Sequence, residues 1–198
     1  MTTYLHEDRL QSVLKAIRDS GAARVLDLGC GDGDLFVRLA LMPDLTELVG
    51  LDICTASLDR LRAKLRQLDV QAGKVDVRHA SMIDPTGDLA GYDCAVLLET
   101  IEHIDPDQLS RLERALFRVL RPTTIIITTP NAEFNPLLGV PSHRRRHPDH
   151  RFEWDRARFR QWCGRAAVVA GYTASFHDIA GAHPTLGGAS QMAVFTRT

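Results

Sequence analysis

The segment that most constrains this chain is Val25-Leu26-Asp27-Leu28-Gly29-Cys30-Gly31-Asp32-Gly33. A short apolar run leads directly into three glycines at alternate positions. Glycine adopts backbone conformations that a Cβ forbids, so such a run turns sharply and lets a ligand approach the main chain. In an open parallel sheet that turn lies at the carboxyl edge, where ligands bind. The next apolar run, residues 48–51, ends in Asp52, roughly 20 residues on, where a carboxylate can accept both hydroxyls of a ribose.

The rest of the chain supplies the sheet that such a turn needs. Apolar spacing predicts helices over 10–17, 35–41, 58–68, 109–120 and 159–170, and strands over 25–28, 48–51, 75–77, 94–98, 124–128, 173–176 and 192–196. Strands alternating with helices imply an α/β fold with a mainly parallel sheet. The last two strands have no room for a helix between them, so one of them runs antiparallel. The 198 residues form a single domain, 1–198. Residues 131–151 carry three prolines and Arg144-Arg145-Arg146 without either periodicity, and read as a long loop of the kind usually kept for function.

The glycine spacing departs from G-x-G-x-x-G, in which the third glycine permits close helix packing. Asp27 would also repel a pyrophosphate and suits a ligand with an ammonium group. A second constellation follows the fourth strand: Glu99-Thr100-Ile101-Glu102-His103. On one helical turn, offsets of 0, 3 and 4 put three side chains on one face. Two carboxylates and an imidazole suit Mg²⁺, Mn²⁺ or Co²⁺ better than a structural zinc. The same residues also fit a local polar cluster. A third segment, His147-Pro148-Asp149-His150-Arg151-Phe152-Glu153-Trp154, adds two more histidines.

The run Asp27-x-Gly29-x-Gly31-x-Gly33 resembles the first motif of class I S-adenosylmethionine-dependent methyltransferases, and the resemblance covers nearly the whole chain. It implies a Rossmann-like, seven-stranded, mostly parallel sheet with one antiparallel strand and helices on both faces. It also implies that Asp27, Gly29, Cys30 and Gly31 hold the methionine end of the cofactor, that Asp52 and Ile53 lie at its ribose, and that Ser81 and Met82 flank the adenine. Within that superfamily, Thr129-Pro130-Asn131-Ala132-Glu133-Phe134-Asn135, Glu99-x-x-Glu102-His103 and Asp149-His150-x-Phe152-Glu153-Trp154 together resemble the small-RNA 3′-terminal 2′-O-methyltransferases. That resemblance implies methyl transfer to the 2′-OH of the last ribose, with Glu99, Glu102, His103 and His150 as ligands of one divalent metal. His147 is a rival fourth ligand or an RNA contact. Quinone-pathway small-molecule O-methyltransferases carry a similar E-x-x-E-H run and form the alternative. A non-catalytic cofactor-binding domain is a third class, opposed by the intact quartet.

Net charge is −1, so no global basic signature marks a nucleic-acid binder. A local patch must serve instead, and Arg144, Arg145, Arg146, Arg151, Arg156, Arg158 and Arg160 crowd one region. The same arginines also fit a solvated loop and helix face. Phe152 and Trp154 can stack on a terminal base or anchor the loop to the core, and anchoring is favoured for Trp154. His143, His177 and His183 read as solvated surface residues. Cys30, Cys54, Cys94 and Cys163 show no C-x-x-C spacing and read as thiols in a reducing compartment. No signal pattern or membrane-length run is present, so the cytoplasm and a monomer are the expectation. The family's eukaryotic members add double-stranded-RNA-binding regions, and many bacterial ones add a domain that meets a kinase–phosphatase repair partner. This chain carries neither, so it is expected to work alone or as the catalytic module of something longer.

Overall fold

A computed structural model describes residues 4–198 and shows one seven-stranded sheet in the order β3-β2-β1-β4-β5-β7-β6. Met1, Thr2 and Thr3, part of the N-terminus expected to carry no signal pattern, lie outside the described residues. The strands are β1 (Arg24–Leu28), β2 (Glu47–Asp52), β3 (Lys74–His79), β4 (Cys94–Leu98), β5 (Thr124–Pro130), β6 (Tyr172–Ile179) and β7 (Ser190–Arg197). All pair in parallel except β7, which runs antiparallel to both β5 and β6. The expected single antiparallel strand is therefore the last one.

Helices α1 (Tyr4–Asp19), α2 (Phe36–Ala40), α3 (Thr55–Leu65), α4 (Leu109–Arg114) and α5 (Arg156–Ala170) cover the sheet. Side chains alternate across each strand, so one sheet builds two cores. Leu26, Leu28, Ala95, Leu97, Ile125 and Ile127 face the side of α4 and α5. Val25, Cys94, Val96 and Ile126 face the side of α1, α2 and α3. Burial on both faces explains why β1, β4 and β5 read as continuous apolar runs.

Two segments differ from the sequence expectation. The helix expected over 109–120 is α-helical only to Arg114, then widens into a π turn over Ala115–Leu120 and stops at Arg121 in the left-handed region (φ 49°). The stretch 131–151 is not wholly irregular. It opens with a 3₁₀ helix at Ala132–Leu138, whose start is capped by Asn131 Oδ1 accepting from the Glu133 N–H at 3.0 Å. No helix among the described residues is long and apolar enough to cross a membrane.

Candidate active site

The glycine loop is stitched to the end of β2. The N–H groups of Gly29 and Cys30 both donate to Leu51 O, at 2.8 and 3.0 Å. Gly31 N–H donates to Asp52 Oδ2 at 2.8 Å, and Cys54 N–H donates to Asp52 Oδ1 at 2.7 Å. The strand-two acid thus organises both loops around it while its remaining lone pairs stay available. Gly29 sits at φ +82°, and a Cβ there would collide with the Thr100 side chain. Gly33, at φ +94°, leaves room for Leu61 of α3. The third glycine therefore permits close helix packing although its spacing differs from G-x-G-x-x-G.

Asp27 is buried, and its Oδ2 has no hydrogen-bond partner. Burial, reinforced by the nearby Asp52 carboxylate, pushes its pKa up to about 7. An acid so placed lacks a cation. Beside it lies a cavity of about 260 Å³ lined by Asp27, Gly29, Cys30 and Gly31, with His6 and Arg9 of α1 and Glu99 on its other walls. Carboxylates (Asp27, Asp32, Asp34, Glu99) and the basic His6 and Arg9 share this lining, so both charges of a zwitterionic amino-acid end can be met. The Cys30 thiol is held protonated by burial and by Asp27. Ile53, Ser81 and Met82 do not line this cavity. They lie where β2 and β3 end side by side, Asp52 pairing with His79. Ile53 is 70% exposed there, and Met82 packs within 3.1 Å of the position a Gly29 Cβ would take. Ile53 is thus a bare apolar side chain next to Asp52.

The second constellation forms differently from the expected helical face. Glu99 is left-handed (φ 48°), and only Ile101–His103 make a 3₁₀ turn. Glu99 therefore stands apart from the turn. Its Oε2 accepts from Ser190 Oγ at 3.2 Å and lies 3.4 Å from Arg9 Nε, and its Oε1 is buried without a partner. Glu102 is fully buried. Its Oε2 accepts from Thr129 Oγ1 at 2.9 Å, and its Oε1 also has no partner. Burial, with Glu99 adding to it, raises the Glu102 pKa well above the carboxylate range.

The long loop brings in His150. Arg151 N–H donates to Glu102 O at 2.6 Å, which ties the two segments together. Ligand atoms of Glu102, His103 and His150 then lie within 4.8 Å of one another. Burial and the neighbouring His150 and His147 rings hold His103 below the ordinary histidine range. His150 is buried, with Nδ1 2.6 Å from Glu153 Oε1. His147 is exposed, its ring 6.0 Å from that of His103 and 5.6 Å from that of His150. A metal fits this place on the donors themselves. The imidazoles of His103 and His150 meet Glu102, whose buried Oε1 nothing in the protein satisfies.

The arginine patch divides in two. Arg146 is a structural residue: its guanidinium donates to Asn135 Oδ1, Ala189 O and Asn131 O. Arg156 is held by Glu133 and Thr185 O. Arg144, Arg145, Arg151, Arg158 and Arg160 remain exposed, although Arg151 pairs with Asp105 at 3.2 Å and Arg145 donates to His150 O. Phe152 and Trp154 are buried and stack on each other at 4.3 Å, with Trp162 next to Trp154. They anchor the loop. A groove of about 630 Å³ runs beside them, edged by Arg145, Arg158 and Arg165. His183 is not simply solvated, because its Nδ1 accepts from the Leu186 N–H at 3.2 Å and shapes a turn. Cys30, Cys94 and Cys163 are buried and Cys54 is exposed, all as free thiols. Sequence reasoning passed over Arg9, Thr129, Ser190 and the contact of Glu153 with His150. Thr129 and Glu153 lie inside quoted motifs, whereas Arg9 and Ser190 carried no signal.

Comparison with known proteins identifies the family. A family model described as a methyltransferase domain matches residues 25–123. A small RNA 2′-O-methyltransferase from Mus musculus is 35% identical across 98% of this chain and 51% of its own length. The Arabidopsis thaliana enzyme of the same name is 31% identical across 98% of this chain and 22% of its own. The solved methyltransferase domain of bacterial CtHen1 is 34% identical, with a TM-score of 0.86 over 98% of both chains. The chain belongs to the small RNA 2′-O-methyltransferase family of methyltransferase domains. It spans about half the length of the vertebrate relatives it matches.

Proposed function

We propose that this chain transfers a methyl group from S-adenosylmethionine to the 2′-hydroxyl of the 3′-terminal ribose of RNA. The observation that carries it is that Glu99 lines the Asp27 cavity and its charge also acts on Glu102, which gathers with His103 and His150. The names of the relatives, small RNA 2′-O-methyltransferases, support the substrate class.

S-Adenosylmethionine supplies an electrophilic methyl on a sulfonium. The chain's part is to hold that donor still. Asp27 takes the ammonium of the methionine end, and Asp52 takes the ribose hydroxyls with charge-assisted hydrogen bonds. The backbone of residues 29–31 fixes where the methyl points. A divalent cation, Mg²⁺, Mn²⁺ or Co²⁺, supplies Lewis acidity toward a ribose hydroxyl when bound. Glu102, His103 and His150 would hold it, with Glu99, whose buried Oε1 has no partner, as the fourth ligand. Only a terminal nucleotide has both the 2′- and the 3′-hydroxyl free, so a site that takes the pair selects chain ends. Holding nucleophile and donor in one geometry is itself worth several orders of magnitude in effective concentration. The exposed arginines at the 630 Å³ groove face the backbone phosphates that lead to that end.

The test uses labelled S-adenosylmethionine and two RNAs differing only at the end. RNA with 2′,3′-hydroxyls is methylated in Mn²⁺, and RNA with a 3′-phosphate is not. Equal turnover of the two removes the end-selection argument.

A further inference from the structure

Glu153 is almost wholly enclosed, its side chain 4% exposed, yet the metal chemistry above gives it no task. Its Oε1 receives His150 Nδ1 at 2.6 Å and the Arg146 backbone N–H at 2.7 Å. Its Oε2 receives Asn135 Nδ2 at 2.7 Å. An ionised carboxylate only accepts hydrogen bonds, so the His150 nitrogen facing it must be the protonated one. The lone pair then sits on Nε2.

We propose that Glu153 is the positioning residue of the metal site: it fixes His150 as the Nδ1–H tautomer and so presents Nε2 to Glu102 and His103. This rests on the metal reading above. A hydrogen-bonded carboxylate behind a ligating histidine sets ring orientation and raises ligand basicity. Here the carboxylate is itself locked. Asn135 cannot turn its amide over, because its Oδ1 already accepts from Arg146 Nε at 2.6 Å. Arg146 is in turn held by Ala189 O and Asn131 O. The second half of the arginine run, the 3₁₀ helix after β5 and the histidine segment therefore meet on one side chain. The half-buried arginine that fitted a phosphate-contact patch is the far end of a brace on His150.

The geometry makes Glu153→Gln informative. With its carbonyl toward His150, Gln sets an amide NH₂ against the Asn135 NH₂. Turned over, it sets that NH₂ against His150 Nδ1 and the Arg146 N–H. Both arrangements leave two donors facing each other, and the second drives His150 to the wrong tautomer.

The experiment is ¹⁵N NMR of the histidine rings in metal-free protein, paired with Mn²⁺ titration followed by electron paramagnetic resonance. Wild type shows His150 protonated on Nδ1. Glu153→Gln loses that signature, and its Mn²⁺ dissociation constant rises by about 10- to 100-fold. Its S-adenosylmethionine affinity stays at the wild-type value, which shows that the fold is intact. Asn135→Ala keeps the carboxylate but frees it, and gives a smaller loss of Mn²⁺ affinity; it serves if Glu153→Gln does not fold. Wild-type His150 protonated on Nε2, or Mn²⁺ affinity unchanged in Glu153→Gln, overturns the proposal. Wild type that shows the Nδ1–H tautomer yet binds no Mn²⁺, with or without RNA, overturns the metal reading and leaves the Glu153–His150 contact standing.

Discussion

The two halves of this site are built from different materials. The cofactor side is made largely by backbone: Gly29 and Cys30 N–H bonded to Leu51 O, and Gly31 and Cys54 N–H gathered by the Asp52 carboxylate, all at the ends of adjacent parallel strands. The proposed metal side is made by side chains from two segments, Glu102 and His103 on the turn after β4 and His150 on the long loop, the latter braced by Arg146, Asn135 and Glu153. A backbone site inherits its precision from the sheet. A side-chain site must be cross-linked from outside, and it does so with buried ions that leave some carboxylate oxygens unmet until a ligand arrives. The two halves should therefore fail independently when mutated.

The largest separation is expected at the metal side. Glu102→Ala or His150→Ala should lower methyl transfer by at least ~10²-fold, because activation and positioning of the nucleophile go together. Calorimetry should find S-adenosylmethionine bound as in wild type. A parallel loss of cofactor affinity would mean that the halves are one unit.

Within the arginine run the contrast is between brace and surface. Arg146→Ala removes charge-assisted bonds to buried acceptors and should cost roughly 1.5–3 kcal/mol of stability. Arg144→Ala should stay within about 0.5 kcal/mol of wild type in the same denaturant titration. Similar midpoints for the two variants would show that Arg146 carries no brace.

On the cofactor side, Asp52→Ala should weaken S-adenosylmethionine binding by about 1–3 kcal/mol. Mn²⁺ binding should be untouched. An unchanged cofactor dissociation constant would mean that Asp52 serves only the loop.

The smallest effect is one of pH. Asp27 has its pKa raised to about 7 in the fold, so it loses its charge as pH falls through that value. Between pH 7 and pH 6 the ionised fraction drops about fivefold, and cofactor affinity should fall with it. The same raised value means that folding stability declines as pH rises from about 4 toward 7, since the unfolded chain gives up this proton first. Asp27→Asn should flatten the binding profile. A wild-type profile already flat over this range would place the ammonium elsewhere.

The same contrast explains what could be read from the sequence. The strands and helices follow from apolar runs and their spacing, and the glycine loop follows from residues adjacent in the chain, so both were legible. His150 was legible through its motif. The geometry of Glu99 was not, because its left-handed backbone is set by the end of β4 and not by its spacing from Glu102. Arg146 and Arg156 read as phosphate contacts because a charge run does not reveal partners such as Asn135, 11 residues away, or Glu133, 23 residues away. Arg9 and Ser190 lie 90 and 91 residues from Glu99, which they contact. Those pairings exist only once the sheet has closed.

The central claim is a methyl group placed on the last ribose by a site that needs a divalent cation. RNA ending in 2′,3′-hydroxyls should be incubated with labelled S-adenosylmethionine, digested to nucleosides, and the label located with Mn²⁺ present and with excess chelator. The account predicts label only in the 2′-O-methylated terminal nucleoside, and only with Mn²⁺. Label in internal nucleosides, or an undiminished yield in chelator, would contradict it.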